Sequence, residues 1–476
     1  MTHRRSLFVV LFAALALLGA ACSSRGEDAS GGTDTSSDAT ATAAAGGGEA
    51  EGVTFGNMAS PCGPASADAA SDGTATTAAD PSDAPEGDAQ GITDDAIAVG
   101  TVADPGFSGS PGLNQEIFDA GQAFVAWCND QGGINGRELQ LTEYDAAIQN
   151  YQTKMTEACD QEFAMVGGGA VQDNLWATTG AACGLIDVAG FAVTPEKSGT
   201  VGPDVVEESR VVQAVPNTSD TYEVGGLQTL AEEHPEAFQH VGILYGDFET
   251  LRLQADKGRQ AIEAEGGTVV TELTYNLLGE ANWGPIASAL EDDGVQWVYF
   301  VGEPQNLALL QQAMVEIGYQ PEVTFQEANH YDAEYLAAAG EAAEGTFVRA
   351  VYVPFEEAGE NAATQQYLDM IEAVDGKVAL LGAQSVSAWL LFADAARQCD
   401  DAGTLTRTCV LATAGSVTEW TGGGLHAPTD PSTNTPTHCS MILQVQDGAF
   451  VRYAPDEGFD CDEDNLIDIE VGSTSG

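Results

Sequence analysis

The groups in this chain best placed to do chemistry are backbone groups at a glycine turn. Residues 163–194 read FAMVGGGAVQDNLWATTGAACGLIDVAGFAVT. The apolar run at 163–166 has the composition of a strand inside a parallel sheet. Three glycines end it, and Asp173 or Asn174 is placed to cap a helix carrying Trp176. N–H groups at such a corner point outward at the carboxyl edge of a sheet, where open α/β folds bind polar ligands. Taken alone, the triple glycine is equally a tight connection.

Other chemistries find no support. The six histidines include no HExxH pattern, and no GxSxG serine elbow occurs, so no hydrolytic centre can be assembled. TGGG at 421–424 is not followed by GK[ST] and is no phosphate loop. The acidic stretch from Asp460 lacks the DxDxDG spacing of a calcium loop and reads as a solvated tail. No cysteine shows CxxC or Cys/His zinc spacing. A non-enzyme without metal or cofactor is expected.

The elements that must position the turn lie in a long, very acidic chain. Its 476 residues carry 73 Asp and Glu against 15 Lys and Arg, a net charge of −58. No basic surface is available to neutralise phosphates, which excludes a nucleic-acid partner. Self-repulsion on this scale is relieved by salt, the pattern of a salt-tolerant protein, whose melting temperature should rise with added salt.

Arg4 and Arg5 precede an apolar run at 7–20 that is too short to span a bilayer comfortably, followed by a small-residue cleavage site. LLGAAC at 17–22 resembles a bacterial lipobox, which implies lipidation of Cys22 and anchoring to the outer face of the cell membrane; ordinary secretion is the alternative. Residues 23–90 are Ala, Gly, Thr, Ser, Asp and Pro, the composition of a flexible tether. Within them VTFGNMASPCGP at 53–64 is less bland, and Cys62 suggests that this island is pinned to the folded body. Setting Cys22 aside leaves eight cysteines, which allow 105 pairings. Spacing suggests Cys159–Cys183, Cys399–Cys409 and Cys439–Cys461, with Cys62 and Cys128 left over as a pair.

From 91 onward, strand and helix patterns alternate. IAVGTVA (97–103), ELQLTEY (138–144), 163–166 and a run ending at Val193 read as strands, separated by helices near 114–131 and 151–162. After Pro216 a helix at 219–233 leads into a second series, with strands at 240–245, 268–273, 296–301 and 323–325. This alternation predicts parallel sheets with helices on both faces, in two α/β series of similar size. A buried helix at 380–399 and a hairpin around Asp447-Gly448 follow.

GITDDAIAVG (91–100) and NDQGGINGRELQL (129–141) resemble the opening of the type I periplasmic solute-binding proteins of the leucine/isoleucine/valine-binding family. The likeness continues through FAMVGGG, VGILYGD, VYFVGEP and GTFVRAVYVPF, covering most of 91–412. It implies an α/β fold of two Rossmann-like lobes joined by a three-segment hinge. Lobe I would comprise 91–216 and about 350–412, lobe II 217–349 and about 413–460, with an acidic tail at 461–476. It further implies a monomer that captures a small ligand, an amino acid of branched-chain type or a relative, and delivers it to an ABC permease and ATPase complex. A sensor with the same fold is the alternative.

Ligand groups should come from loops at the carboxyl ends of strands: Phe107, Ser108, Gly168, Gly169, Ala170, Val193 and Thr194 in the first lobe, and Asp247, Phe248, Glu303, Asn329 and Tyr331 in the second. By resemblance the glycine turn holds the ligand carboxylate and Glu303 its ammonium. Ala170 and Val171 stand where the family has hydroxyl residues, so donation falls to backbone and Thr194, and an amide ligand is also permitted. Glu303 could instead cap the helix beginning at Pro304. His330 reads either as a residue lining the cleft or, by preference, as a solvated loop histidine. The acidic field disfavours anionic ligands.

Overall fold

A computed structural model describes residues 53–65 and 87–471. The expected leader at 1–22, with Cys22, and most of the segment expected as a tether therefore lie outside the described residues. Two sheets organise the rest. The first runs in the order Glu138–Asp145, Ala96–Ala103, Ala164–Val166, Asp187–Ala189, Val211–Gln213, every pair parallel. The second runs Val269–Tyr275, Val241–Gly246, Trp297–Val301, Val323–Gln326, Phe347–Ala350 in parallel. It is then extended by Cys439–Gln446 and Ala449–Ala454 in antiparallel pairing.

Composition explains these positions. Trp297–Val301 is apolar throughout and buried at every residue, as a central strand covered on both faces must be. Val269–Tyr275 alternates half-buried and exposed residues, as befits an edge. In the first lobe, helices Gln115–Asp130 and Leu380–Asp401 cover one face, where Phe124 stacks on Trp389 at 5.6 Å between centroids. Tyr151, Met155, Met165, Trp176 and Leu185 form the core on the other face.

The chain passes between the lobes three times: after Val211–Gln213, after Phe347–Ala350 and after helix Arg407–Ala414. Four disulfides join Cys62 to Cys128, Cys159 to Cys183, Cys399 to Cys409 and Cys439 to Cys461. Cys62 staples the island at 53–65 to the first lobe, where Phe55 is fully buried, edge-on to Trp127 at 5.8 Å.

Several local expectations are corrected. The segment after the glycines is a 3-10 turn, Asp173–Thr178, without a side-chain cap, because the Asp173 carboxylate is drawn to other amides. The helix expected over 219–233 begins only at Gly225, after a strand at Thr221–Glu223. That strand pairs antiparallel with Leu466–Asp468. The stretch expected as a solvated acidic tail thus becomes part of the first crossing, fixed further by Asp460–Cys461 pairing with the start of Cys439–Gln446.

Candidate functional site

The glycine turn is shaped by packing. Gly167 has φ +67°, and a Cβ there would meet the Trp389 indole nitrogen at 2.4 Å. A Cβ on Gly169 would meet Phe191 at 2.9 Å. Two of the turn's amides are occupied: Gly169 N–H donates to Val102 O at 2.8 Å and Val171 N–H to Asp104 Oδ2 at 2.7 Å. Asp104 also accepts from Ile148 N–H at 2.6 Å. Asp173 accepts from the amides of Val193 and Thr194 at 2.8 and 3.0 Å and from the Thr194 hydroxyl at 2.6 Å. Burial raises both aspartates to about 6, against the pull of these donors toward the charged form. A backbone carbonyl and two carboxylates of the chain itself thus occupy the Gly169, Val171 and Thr194 donors.

A cavity of about 220 Å³ opens between the carboxyl ends of the two sheets. Leu113, Val171, Phe191, Val193 and Leu381 give the first lobe's wall an apolar face. The second lobe contributes Leu251, Gln254, Lys257, the segment 299–305 and Asn329. Gln254 Nε2 donates across the cleft to Val193 O at 2.7 Å.

Of the residues expected at the site, Val193, Glu303 and Asn329 line this cavity, and Phe107, Ser108, Gly168, Gly169, Ala170, Thr194, Asp247, Phe248 and Tyr331 do not. Phe107 is buried in the core, Asp247 is exposed, and Phe248 packs against the second lobe's core. Tyr331 stacks on Phe355 at 4.7 Å and bonds Glu356 and the Phe355 amide, so it belongs to a crossing. His330 is buried between Phe300 and Tyr335, contrary to the solvated position expected. Burial lowers its imidazole to about 4.

Glu303 occupies the N-cap position of helix Pro304–Ile317 without a cap hydrogen bond from its side chain. Its Oε2 accepts from Tyr275 Oη at 2.9 Å and Asn306 Nδ2 at 2.8 Å. Among the described residues only neutral groups bond the carboxylate, and burial raises its pKa, with Asn306 and Tyr275 opposing. A cation entering the cavity would offset that desolvation.

Sequence reasoning missed the basic residues of the cleft. Arg349 pairs with Glu327 at 2.7 Å and Glu223 at 3.2 Å. Glu327 also receives the hydroxyls of Tyr222 and, at 3.1 Å, Tyr299. Burial pushes Glu327 upward, but Arg349 and the tyrosines outweigh it and hold the carboxyl below its ordinary value. Lys377 bridges Glu116 of the first lobe at 3.1 Å to Asp332 and Glu334 of the second at 2.9 and 3.1 Å. With only 15 basic residues in the chain, each was a signal worth following.

A family model described as periplasmic binding protein matches residues 106–449. The chain belongs to the periplasmic binding protein family. Members bind solutes outside the cytoplasm, and among the described residues of this binding protein no helix is long and apolar enough to cross a membrane. Solved structures show the same type I fold. A fatty acid ABC transporter substrate-binding protein from Thermomonospora curvata superposes with a TM-score of 0.64 at 17% identity, over 79% of this chain and 95% of that one. Leucine binding protein LivK from Thermotoga maritima gives 0.61 at 14%, over 78% and 100%. A solute binding protein from R. palustris in complex with 4-hydroxybenzoate gives 0.58 at 16%, over 78% and 98%. No curated protein matches the sequence of this binding protein.

Proposed function

We propose that this is the substrate-binding subunit of an ABC importer, anchored outside the cell membrane through lipidated Cys22 and working as a monomer without catalytic activity. Its solute is small, with an apolar body and an amine, as in a branched-chain amino acid. The supporting observation is the cavity itself: it joins an apolar patch of the first-lobe wall to Glu303, a buried carboxylate bonded, among the described residues, only by neutral groups. An ammonium there gains a charge-assisted hydrogen bond, and the aliphatic body is removed from water against Val171, Phe191 and Leu381. Leucine, fatty acid and 4-hydroxybenzoate, named for the structural neighbours, share an apolar body that such a wall accommodates.

A thermal-shift screen of branched-chain amino acids, their amides and related solutes tests this. A solute at 100 times its dissociation constant should add about 2.7 kcal/mol to stability. A screen in which no small solute shifts the protein contradicts the proposal. Loss of uptake on deleting a partner permease would separate transport from sensing.

A further inference from the structure

The chain has four lysines. Lys154, Lys197 and Lys377 each have a carboxylate within 3.1 Å. Among the described residues Lys257 forms no ion pair, and it lines the cleft. Its Nζ donates to two neutral oxygens, Thr218 O at 2.5 Å and Asn217 Oδ1 at 3.3 Å, both on the first crossing. An ammonium carries three donors, so one remains for the cavity. In a protein with 73 carboxylates, a cation without one in its solute-binding cleft calls for explanation.

We propose that Lys257 is the anion anchor of the cleft, and that the solute carries a carboxylate which pairs with it. This rests on the importer reading above and names the chemical class of its ligand. Leu251, Gln254 and Lys257 recur every three residues along helix Glu249–Ala264 and line the cavity together. Gln254 already bridges to Val193, so the face carrying the lysine lies against the first lobe's apolar wall. The glycine turn is poorly placed for this role, since Gly168, Gly169 and Ala170 do not line the cavity and the amides of Gly169 and Val171 and the hydroxyl of Thr194 are bonded internally.

The groups facing Lys257 agree. Glu327 is committed to Arg349, Tyr222 and Tyr299. Tyr222 presents its ring 5.9 Å from Nζ. Asp220 accepts from the Val201 amide, and Asp256 on the same helix pairs with Arg252 and Arg259. Burial pulls the ammonium down to about 8, with Glu327 and Asp220 raising it and Arg349 lowering it. The net charge of −58 does not forbid an anion here, because distant charges are screened over about 8–10 Å in physiological salt and the contact pair is not.

Isothermal titration calorimetry of the mature protein with leucine, 4-methylpentanoate and 4-hydroxybenzoate, each against its primary amide, tests the assignment. Acids should bind at least tenfold tighter than their amides. Lys257→Met should weaken the acids about thirtyfold and leave the amides unchanged, and Lys257→Arg should restore most of the loss. Acid affinity should fall about tenfold per pH unit above about 8, where the free lysine loses its proton. Circular dichroism melts of both variants establish that they are folded. If Lys257→Met weakens acid and amide alike, or neither, the lysine only fastens the crossing and the proposal fails. Amides binding as well as acids also overturn it while leaving the importer reading intact. A protein that binds no solute of any class overturns both.

Discussion

The two walls of the cleft handle polar groups in opposite ways. On the first lobe, Asp104 and Asp173 gather amides of Ile148, Val171, Val193 and Thr194 into closed internal networks, apolar side chains face the cavity, and the charged Glu116 and Lys377 beside them are already paired. On the second lobe, Glu303 and Lys257 present charges bonded only by neutral protein groups. One wall is finished without ligand and supplies shape; the other is left electrostatically incomplete and supplies recognition. On the proposed reading, specificity in this binding protein resides in few side chains, and mostly on one side.

The sharpest way to break this contrast is to disturb the finished wall. Lys197 and Asp187 form an ion pair of 2.7 Å with no exposure of either side chain. Lys197→Met leaves an uncompensated buried carboxylate and should cost about 3–5 kcal/mol in urea denaturation. A loss below ~1 kcal/mol would mean that the first lobe is less rigid than its bonding implies.

Acid separates the lobes next. His330 in the second lobe has its folded pKa depressed to about 4 from 6.5. Its neutral form contributes stability that is present above pH 6.5 and is lost as pH falls through about 4. Asp104 and Asp173 in the first lobe are raised to about 6 from 3.8, so their contribution is fully present below pH 3.8 and lost as pH rises through about 6. The two lobes thus oppose each other across the same window. Replacing His330 by Phe removes the histidine's side of the balance. Between pH 6.5 and 4 the variant should lose less stability than the parent, by ~3 kcal/mol at the acid end. Parallel stability–pH curves would refute the assignment.

At the incomplete wall, Glu303→Gln retains hydrogen-bonding capacity but loses charge. Binding of amine-bearing solutes should weaken by about 2 kcal/mol in calorimetry, with deaminated analogues unaffected. Equal losses for both would show that Glu303 only supports the fold. The smallest effect is expected from Gln254→Ala, which removes one cross-cleft hydrogen bond, worth about 1 kcal/mol. Small-angle scattering should show a larger open fraction without ligand.

The fold was readable because parallel strands are apolar runs and the helices between them are long. Alternation gave two α/β series, and cysteine spacing suggested the pairs that form. The site was less readable, because its decisive bonds are not local. Asp173 looks like a helix cap for its own segment, yet its partners lie 20 and 21 residues away. Leu466–Asp468 sits in an acidic run that reads as solvated, and only its remote partner, Thr221–Glu223, makes it a strand. Glu303 could be singled out from its place between a strand and a proline. Lys257 could not, since on a polar helix nothing marks one lysine as the one without an ion-pair partner.

The Cys62–Cys128 staple has a mechanical consequence. The island it secures packs on Trp127, and its Gly56 amide donates to Gln366 on a helix that itself packs against Gln115–Asp130. Any tension arriving from the amino-terminal direction is thus grounded in one rigid half before it reaches the crossings. On the anchored reading proposed above, the second lobe would be free to swing without pulling on that attachment.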